Sequence, residues 1–179
     1  MIIQPDRLVL WAGKIEESGL TRVFERMLEL TQQDPKKEIF LLVSSPGGSA
    51  SAGFCFYDTA RVLWDGPQLI TVGSGNISSA AITVWLAGKH RILTENATLF
   101  FHDARRHMGT GAYDVDELGS ARQSLGTDRK IYMDILEQAS RGKLERNKIA
   151  ELLRKPRTYT AKQILKMGFA DEIIGTPSE

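Results

Sequence analysis

Two glycine-rich turns, Ser45-Pro46-Gly47-Gly48-Ser49 and Gly73-Ser74-Gly75-Asn76, each close an apolar run and each precede a helical stretch. No other feature constrains the fold as much. Ile39-Phe40-Leu41-Leu42-Val43 is a continuous apolar run, the pattern of a strand buried on both faces. A helix over about 50–64 follows it. The second unit repeats the plan, with a strand predicted at 68–72 and a small-residue helix at 78–87. Tandem strand–turn–helix units imply parallel strands joined by right-handed crossovers.

The remaining elements fit around these two units. Residues 7–12 read as a strand, and 19–33 as a one-faced helix with Leu20, Val23, Phe24, Met27, Leu28 and Leu30 at helical spacing. Residues 91–93 and 98–101 read as a hairpin pair, and a long helix is expected over about 115–139. Shorter helices at 144–154 and 161–167 and a strand near 172–174 complete the pattern. No linker interrupts it, and 179 residues suit one α/β domain over 1–179 better than two.

Charge and composition narrow the function. Lys and Arg number 23 against 22 Asp and Glu, which argues against a dedicated nucleic-acid binder. The single cysteine, Cys55, precludes an internal disulfide and fits a reducing compartment. Residues 1–7 lack the basic patch and apolar stretch of a secretory signal, and the best apolar run, 80–88, is too short to span a bilayer. A cytoplasmic protein without membrane contact, cofactor or metal is expected.

In parallel α/β sheets, loops after strand C-termini gather functional groups, so both glycine turns should be neighbours. The first can aim backbone N–H groups outward. The second places Ser78 and Ser79 at a helix start, where unpaired N–H groups favour negative charge. A serine there with a histidine nearby is what acyl transfer needs. His102 closes the apolar run Thr98-Leu99-Phe100-Phe101. Each piece has an ordinary structural use as well: serine as an N-cap, Pro-Gly-Gly as a turn, histidine as a surface residue.

Taken together, these segments resemble the proteolytic subunit of Clp protease. The similar stretches are Ser44-Ser45-Pro46-Gly47-Gly48-Ser49 with Ala52-Gly53 and Tyr57-Asp58-Thr59, then Gly75-Asn76-Ile77-Ser78-Ser79-Ala80-Ala81 with Leu86-Ala87-Gly88. Leu99-Phe100-Phe101-His102 and the tail Tyr159-Thr160-Ala161 through Met167-Gly168-Phe169-Ala170-Asp171-Glu172-Ile173 continue the match. The resemblance implies a Clp/crotonase-type α/β fold: stacked strand–strand–helix units with a projecting long helix. It implies Ser79 as nucleophile, His102 as general base, and the N–H groups of Gly48 and Ala80 as oxyanion hole. It also implies homo-oligomeric, heptameric rings that enclose the sites, unfolded proteins or peptides as substrates, and a Clp-type ATPase partner.

The sequence departs from that pattern in three places. Ungapped counting back from Thr160-Ala161 puts the family's triad aspartate on Pro156, which cannot orient an imidazole. Asp103 is adjacent to His102, but strand neighbours point to opposite faces, leaving water, a backbone carbonyl or another carboxylate to hold it. Slow or conditional turnover is therefore expected. The chain starts close to its first strand, so the segment that helps dock the ATPase is expected to be missing. A charge pair that couples rings in the family is represented by Arg154 and Lys155, and the basic stretch 141–157 reads as a solvated helical face. Pro156 favours a second reading, a non-catalytic subunit supporting a catalytic partner. An acyl-CoA-acting crotonase-like enzyme and a Ser–Lys dyad through Lys130 are weaker alternatives.

Overall fold

The structure, a computed structural model, describes residues 3–64 and 69–175. Gln68, where the second strand was expected to begin, lies outside the described residues. Strands β1 (Leu8–Ala12), β2 (Ile39–Ser45), β3 (Leu69–Ser78), β4 (His90–Thr94) and β7 (Glu172–Ile174) lie side by side in the order β1-β2-β3-β4-β7, all parallel. β5 (Thr98–Phe101) pairs in parallel with β3, and β6 (Arg157–Thr160) pairs antiparallel with β5, giving a seven-stranded sheet.

Helices α1 (Glu17–Gln33), α2 (Ala50–Leu63) and α3 (Ala80–Leu86) make the crossovers. The pleat sorts β2 between two clusters: Ile39, Leu41 and Val43 join the main core, while Phe40 packs with Ile70, Val72 and Ile92. Phe24 of α1 stacks on Phe56 of α2 at 5.2 Å and on Trp64 at 6.0 Å. Such contacts add about 0.5–1.5 kcal/mol to the burial of each aromatic pair. The predicted 7–12 strand begins one residue later, because Arg7 ends a short 3-10 turn (Pro5–Arg7). Its buried guanidinium donates to the Leu30 carbonyl at 2.6 Å and caps the end of α1.

The expected hairpin of residues 91–93 with 98–101 does not form. β4 and β5 both pair with β3, β4 against Ile70–Gly73 and β5 against Asn76–Ser78. β3 is correspondingly longer than the glycines suggested and runs through them to Ser78, with Gly75 at φ 63°. The strand forks its partners, and this brings the end of β5 beside the end of β3.

Helix α4 (Val115–Ala139) starts in a capping box, with Glu117 N–H donating to Asp114 Oδ1 at 2.8 Å. Its last third buries Tyr132, Met133, Ile135 and Leu136, whereas Val115 and Leu118 are 84% and 49% exposed. The helix therefore packs at one end and projects at the other. α5 (Arg146–Arg154) and α6 (Ala161–Lys166) flank β6. Among the described residues, no helix is long and apolar enough to cross a membrane.

Candidate active site

The turn after β2 is held by the Ser45 hydroxyl and by the backbone of Ile15. Gly47, at φ 96°, donates its N–H to Ser45 Oγ at 3.0 Å and accepts from Ile15 N–H at 3.0 Å. Ser49 N–H donates to the Ile15 carbonyl at 2.7 Å. The Gly48 N–H between them donates to no group among the described residues. A Cβ on Gly47 would fall 2.7 Å from the Ser78 carbonyl oxygen and 2.8 Å from Ser79 Cβ. Only glycine lets this turn lie against the end of β3.

That end holds the two candidate serines, and the fold separates them. Ser78 is the last residue of β3, is buried, and donates its hydroxyl to Asn76 Oδ1 at 2.7 Å. Ser79 stands alone between strand and helix at φ 54° and ψ −125°, a conformation that costs a side-chain-bearing residue about 1–3 kcal/mol. Its N–H donates to the Phe100 carbonyl at 3.1 Å, which pins it to β5. α3 begins at Ala80 rather than 78, because the sharp turn at Ser79 must come first. Strained strand-to-helix turns of this kind present an exposed hydroxyl in α/β hydrolases. As the first helical residue, Ala80 has an N–H with no intrahelical acceptor.

His102 follows the last residue of β5. Its Nδ1 lies 2.6 Å from the backbone carbonyl oxygen of Asp103. A carbonyl only accepts, so Nδ1 carries the proton and Nε2 of the neutral imidazole is left as an acceptor. The Asp103 carboxylate is engaged elsewhere, accepting from Arg129 Nε at 2.8 Å and from Ala104 N–H at 3.0 Å. Ser79 and His102 line the same two cavities. Gly47, Gly48, Lys14 and Arg105 line the outer cavity, Phe54 and Tyr132 the inner one, and Asp128 lines both. Among the described residues, Ser79 and His102 are not hydrogen-bonded to each other. Catalytic hydrogen bonds often tighten only when substrate binds.

Four further residues singled out from sequence stand apart from these cavities. β5 and β6 pair Phe101 with Arg157, so extending the register by one step sets Pro156 opposite His102. The proline itself faces a separate cavity with Lys155 and Arg157. Lys130 is exposed and lines neither cavity beside Ser79. Lys155 is tied to Glu151 at 2.9 Å and Arg154 is exposed. Among the described residues, no cluster of three His, Cys, Asp or Glu side chains is placed to hold a metal ion.

Sequence reasoning missed two residues of α4 beside Ser79: Tyr132, which lines the inner cavity, and Asp128, which lines both. Their i, i+4 spacing puts them on one helix face, a signal available once that face is known to meet the glycine turns. Tyr132 is 7% exposed, its hydroxyl has no hydrogen-bond partner among the described residues, and burial pushes the phenol far above its ordinary range.

Comparison with known proteins bears on this geometry. Residues 2–177 match the model of the family described as Clp protease. The chain is 30% identical over 171 residues to the ATP-dependent Clp protease proteolytic subunit of Streptococcus mutans, spanning 94% of this chain and 85% of that protein. It is 30% identical over 177 residues to proteolytic subunit 2 of the ATP-dependent Clp protease of Bifidobacterium longum, spanning 96% and 81% respectively. A Streptococcus pneumoniae proteolytic subunit is also 30% identical, over 173 residues, with 97% and 87% spanned.

Proposed function

The chain belongs to the Clp protease family, and from that premise we propose that it is a serine endopeptidase subunit with Ser79 as nucleophile and His102 as general base. The observation that carries the reading is the placement of Ser79, on a strained turn, in the same cavities as a histidine whose Nε2 is free to accept. Ser79 Oγ attacks the peptide carbonyl carbon as His102 Nε2 takes its proton. The carbonyl oxygen becomes an oxyanion between the unengaged N–H groups of Gly48 and Ala80. Collapse breaks the C–N bond, and His102 returns the proton to the leaving amine. Water then attacks the acyl-serine by the same route, with His102 again as base, and frees Ser79.

In this reading a neutral carbonyl at Asp103 does the orienting work of a triad carboxylate. It sets the tautomer, but offers the imidazolium a dipole rather than a full charge. Loss of an orienting aspartate costs about 10⁴ in turnover in a well-studied triad, so slow hydrolysis is expected. The exposed apolar face of α4 supports assembly into heptameric rings of identical subunits, where unfolded chains and peptides are cut. A Clp-type ATPase is the partner that would deliver them, in the cytoplasm. Pro156 keeps one alternative in play, a non-catalytic subunit in a mixed ring.

Substitution separates the two serines. Ser79→Ala should abolish peptide and ester hydrolysis, while Ser78→Ala should keep most of it. Equal loss from both, or none from Ser79→Ala, contradicts the assignment.

A further inference from the structure

Two chain segments bring positive charge to the outer cavity, and each is fastened beside a different part of the catalytic machinery. Lys14 lies in the short link between β1 and α1. On one side of it Gly13 N–H donates to the Ser44 carbonyl at 3.1 Å, and on the other Ile15 N–H donates to the Gly47 carbonyl at 3.0 Å. Ile15 also bridges Gly48 in parallel, so closely that a Cβ on Gly48 would run into the Ile15 carbonyl oxygen. Lys14 is thereby held at the rim of the turn that offers the Gly48 N–H. Arg105 and His107 arrive from the other side, on the segment that follows β5 and His102. That segment is anchored where Ala104 N–H donates to the Asp103 carboxylate, which Arg129 holds in turn.

Lys14, Arg105 and His107 are exposed, and none has a side-chain hydrogen bond or ion pair among the described residues. The cavity they line with Ser79 and His102 has a volume of about 540 Å³, within the roughly 300–1,000 Å³ of ligand sites. One carboxylate, Asp128, shares this lining and forms no ion pair with the cations. Two fixed cations against one carboxylate leave an excess of positive charge around the reacting groups, in a chain whose formal charge as a whole is only +1. Cations gathered in a cleft concentrate the field there and draw in groups of opposite sign.

We propose that the outer cavity selects peptide segments with acidic side chains next to the cleaved bond, and that Lys14 and Arg105 set this preference. The inference rests on the peptidase reading, because a chain held for attack by Ser79 brings its flanking residues between these two cations. A glutamate there meets a cationic donor from either side, whereas a lysine meets two like charges. Asp128 works against the preference, so the cavity discriminates by the difference between its cations and this one carboxylate. Because the cations are exposed, each contributes on the modest scale of surface charge pairs, and salt screens the effect.

Two measurements on the full-length chain decide it. The first compares kcat/KM for internally quenched peptides that differ only in glutamate, glutamine or lysine at the residues flanking the cleaved bond. At low salt glutamate should exceed glutamine by about three- to fivefold and lysine by about tenfold. The preference should largely vanish near ~1 M salt, where the Debye length is about 3 Å. Lys14→Gln and Arg105→Gln should each roughly halve the glutamate-to-glutamine ratio, and Asp128→Asn should raise it. Lys14→Glu combined with Arg105→Glu should turn the preference to lysine, a gain that a misfolded variant does not produce. Glutamine or lysine equal to glutamate in the wild type, or a ratio untouched by the double reversal, overturns the proposal. The second measures binding of the same peptides to Ser79→Ala by fluorescence anisotropy. Tighter binding of the glutamate peptide, weakened by salt and lost in the double reversal, is expected; equal binding overturns the charge preference. Because it needs no turnover, this arm decides the preference even if every peptide resists cleavage, an outcome that would instead defeat the peptidase reading.

Discussion

His102 Nδ1 and the Asp103 backbone carbonyl oxygen lie 2.6 Å apart, so the histidine is oriented by the main chain of the residue next to it. The Asp103 side chain turns away to Arg129. The pair fixes which imidazole nitrogen carries the proton while supplying no counter-charge.

The lack of a counter-charge makes Pro156→Asp an expected gain of function. The ladder of β5 and β6 ends with Phe101 opposite Arg157, so position 156 lies one residue beyond the pairing, on the side of His102. Lys155 and Arg157 flank the position and would compete for a new carboxylate, so the gain should be partial. A rise in kcat of about tenfold, well short of the roughly 10⁴ attached to a native aspartate, is expected from steady-state kinetics. No change, with the mutant folded, would mean that the imidazole gains nothing from a carboxylate there.

Arg129 should act as a positioning residue. It holds the Asp103 carboxylate with one 2.8 Å bond between half-exposed groups, a contact of about 0–1 kcal/mol. Arg129→Ala should lower kcat about threefold with KM little changed, and Arg129→Lys should restore part of it. Parallel changes in kcat and KM, with no rescue by Arg129→Lys, would reduce Arg129 to a structural role.

The parts of this site that were legible in sequence are those written in side-chain pattern and glycine. The turn at Gly47 and Gly48, Ser79 at the entry to a helix, and His102 after an apolar strand all follow from local spacing. The pairing of strands did not. Residues 91–93 and 98–101 have a hairpin's length and composition, but apolarity says nothing about which neighbour a strand takes, and both chose β3. Residues 157–160 are too polar to announce the strand they form at the edge of the sheet. The support for His102 was invisible for a related reason: a backbone carbonyl has no residue type, so no motif encodes it. Asp128 and Tyr132 needed the position of α4 before their shared face meant anything.

Asp171, just before β7, joins β4 through the Arg91 backbone to the end of α4 through Arg141, and should leave a pH signature in stability. Burial works to raise its pKa, but hydrogen bonds from Arg141 and the Arg91 backbone, with both guanidinium charges, hold it below its ordinary value. Arg91 is itself buried, and burial with the Arg141 charge lowers it to about 10, so it stays charged at neutral pH. A depressed carboxyl stabilises the fold fully above its unfolded pKa of about 4, and that contribution is lost as pH falls through the lower folded value. Asp171→Asn should therefore cost about 2–3 kcal/mol at pH 7, below the roughly 3–5 of a fully buried pair. In denaturant titrations the difference from wild type should shrink below pH ~4.

Assembly should depend on the projecting end of α4. Val115 and Leu118 are exposed there, and Lys155 is already paired with Glu151 within its own subunit. Ring formation is expected to be firm and ring pairing weak. Light scattering at micromolar concentration should give at least a heptamer mass, with Leu118→Asp lowering the fraction of paired rings. A monomer mass would contradict the oligomeric reading.

The central claim, that Ser79 is an activated nucleophile, is tested most directly by a fluorophosphonate probe on the full-length protein, followed by mass spectrometry of the modified peptide. The expected result is a single adduct on Ser79, slow to form in the wild type, faster in Pro156→Asp, retained in Ser78→Ala and absent in Ser79→Ala. An adduct on Ser78 or elsewhere, or none in wild type and Pro156→Asp alike, would contradict it.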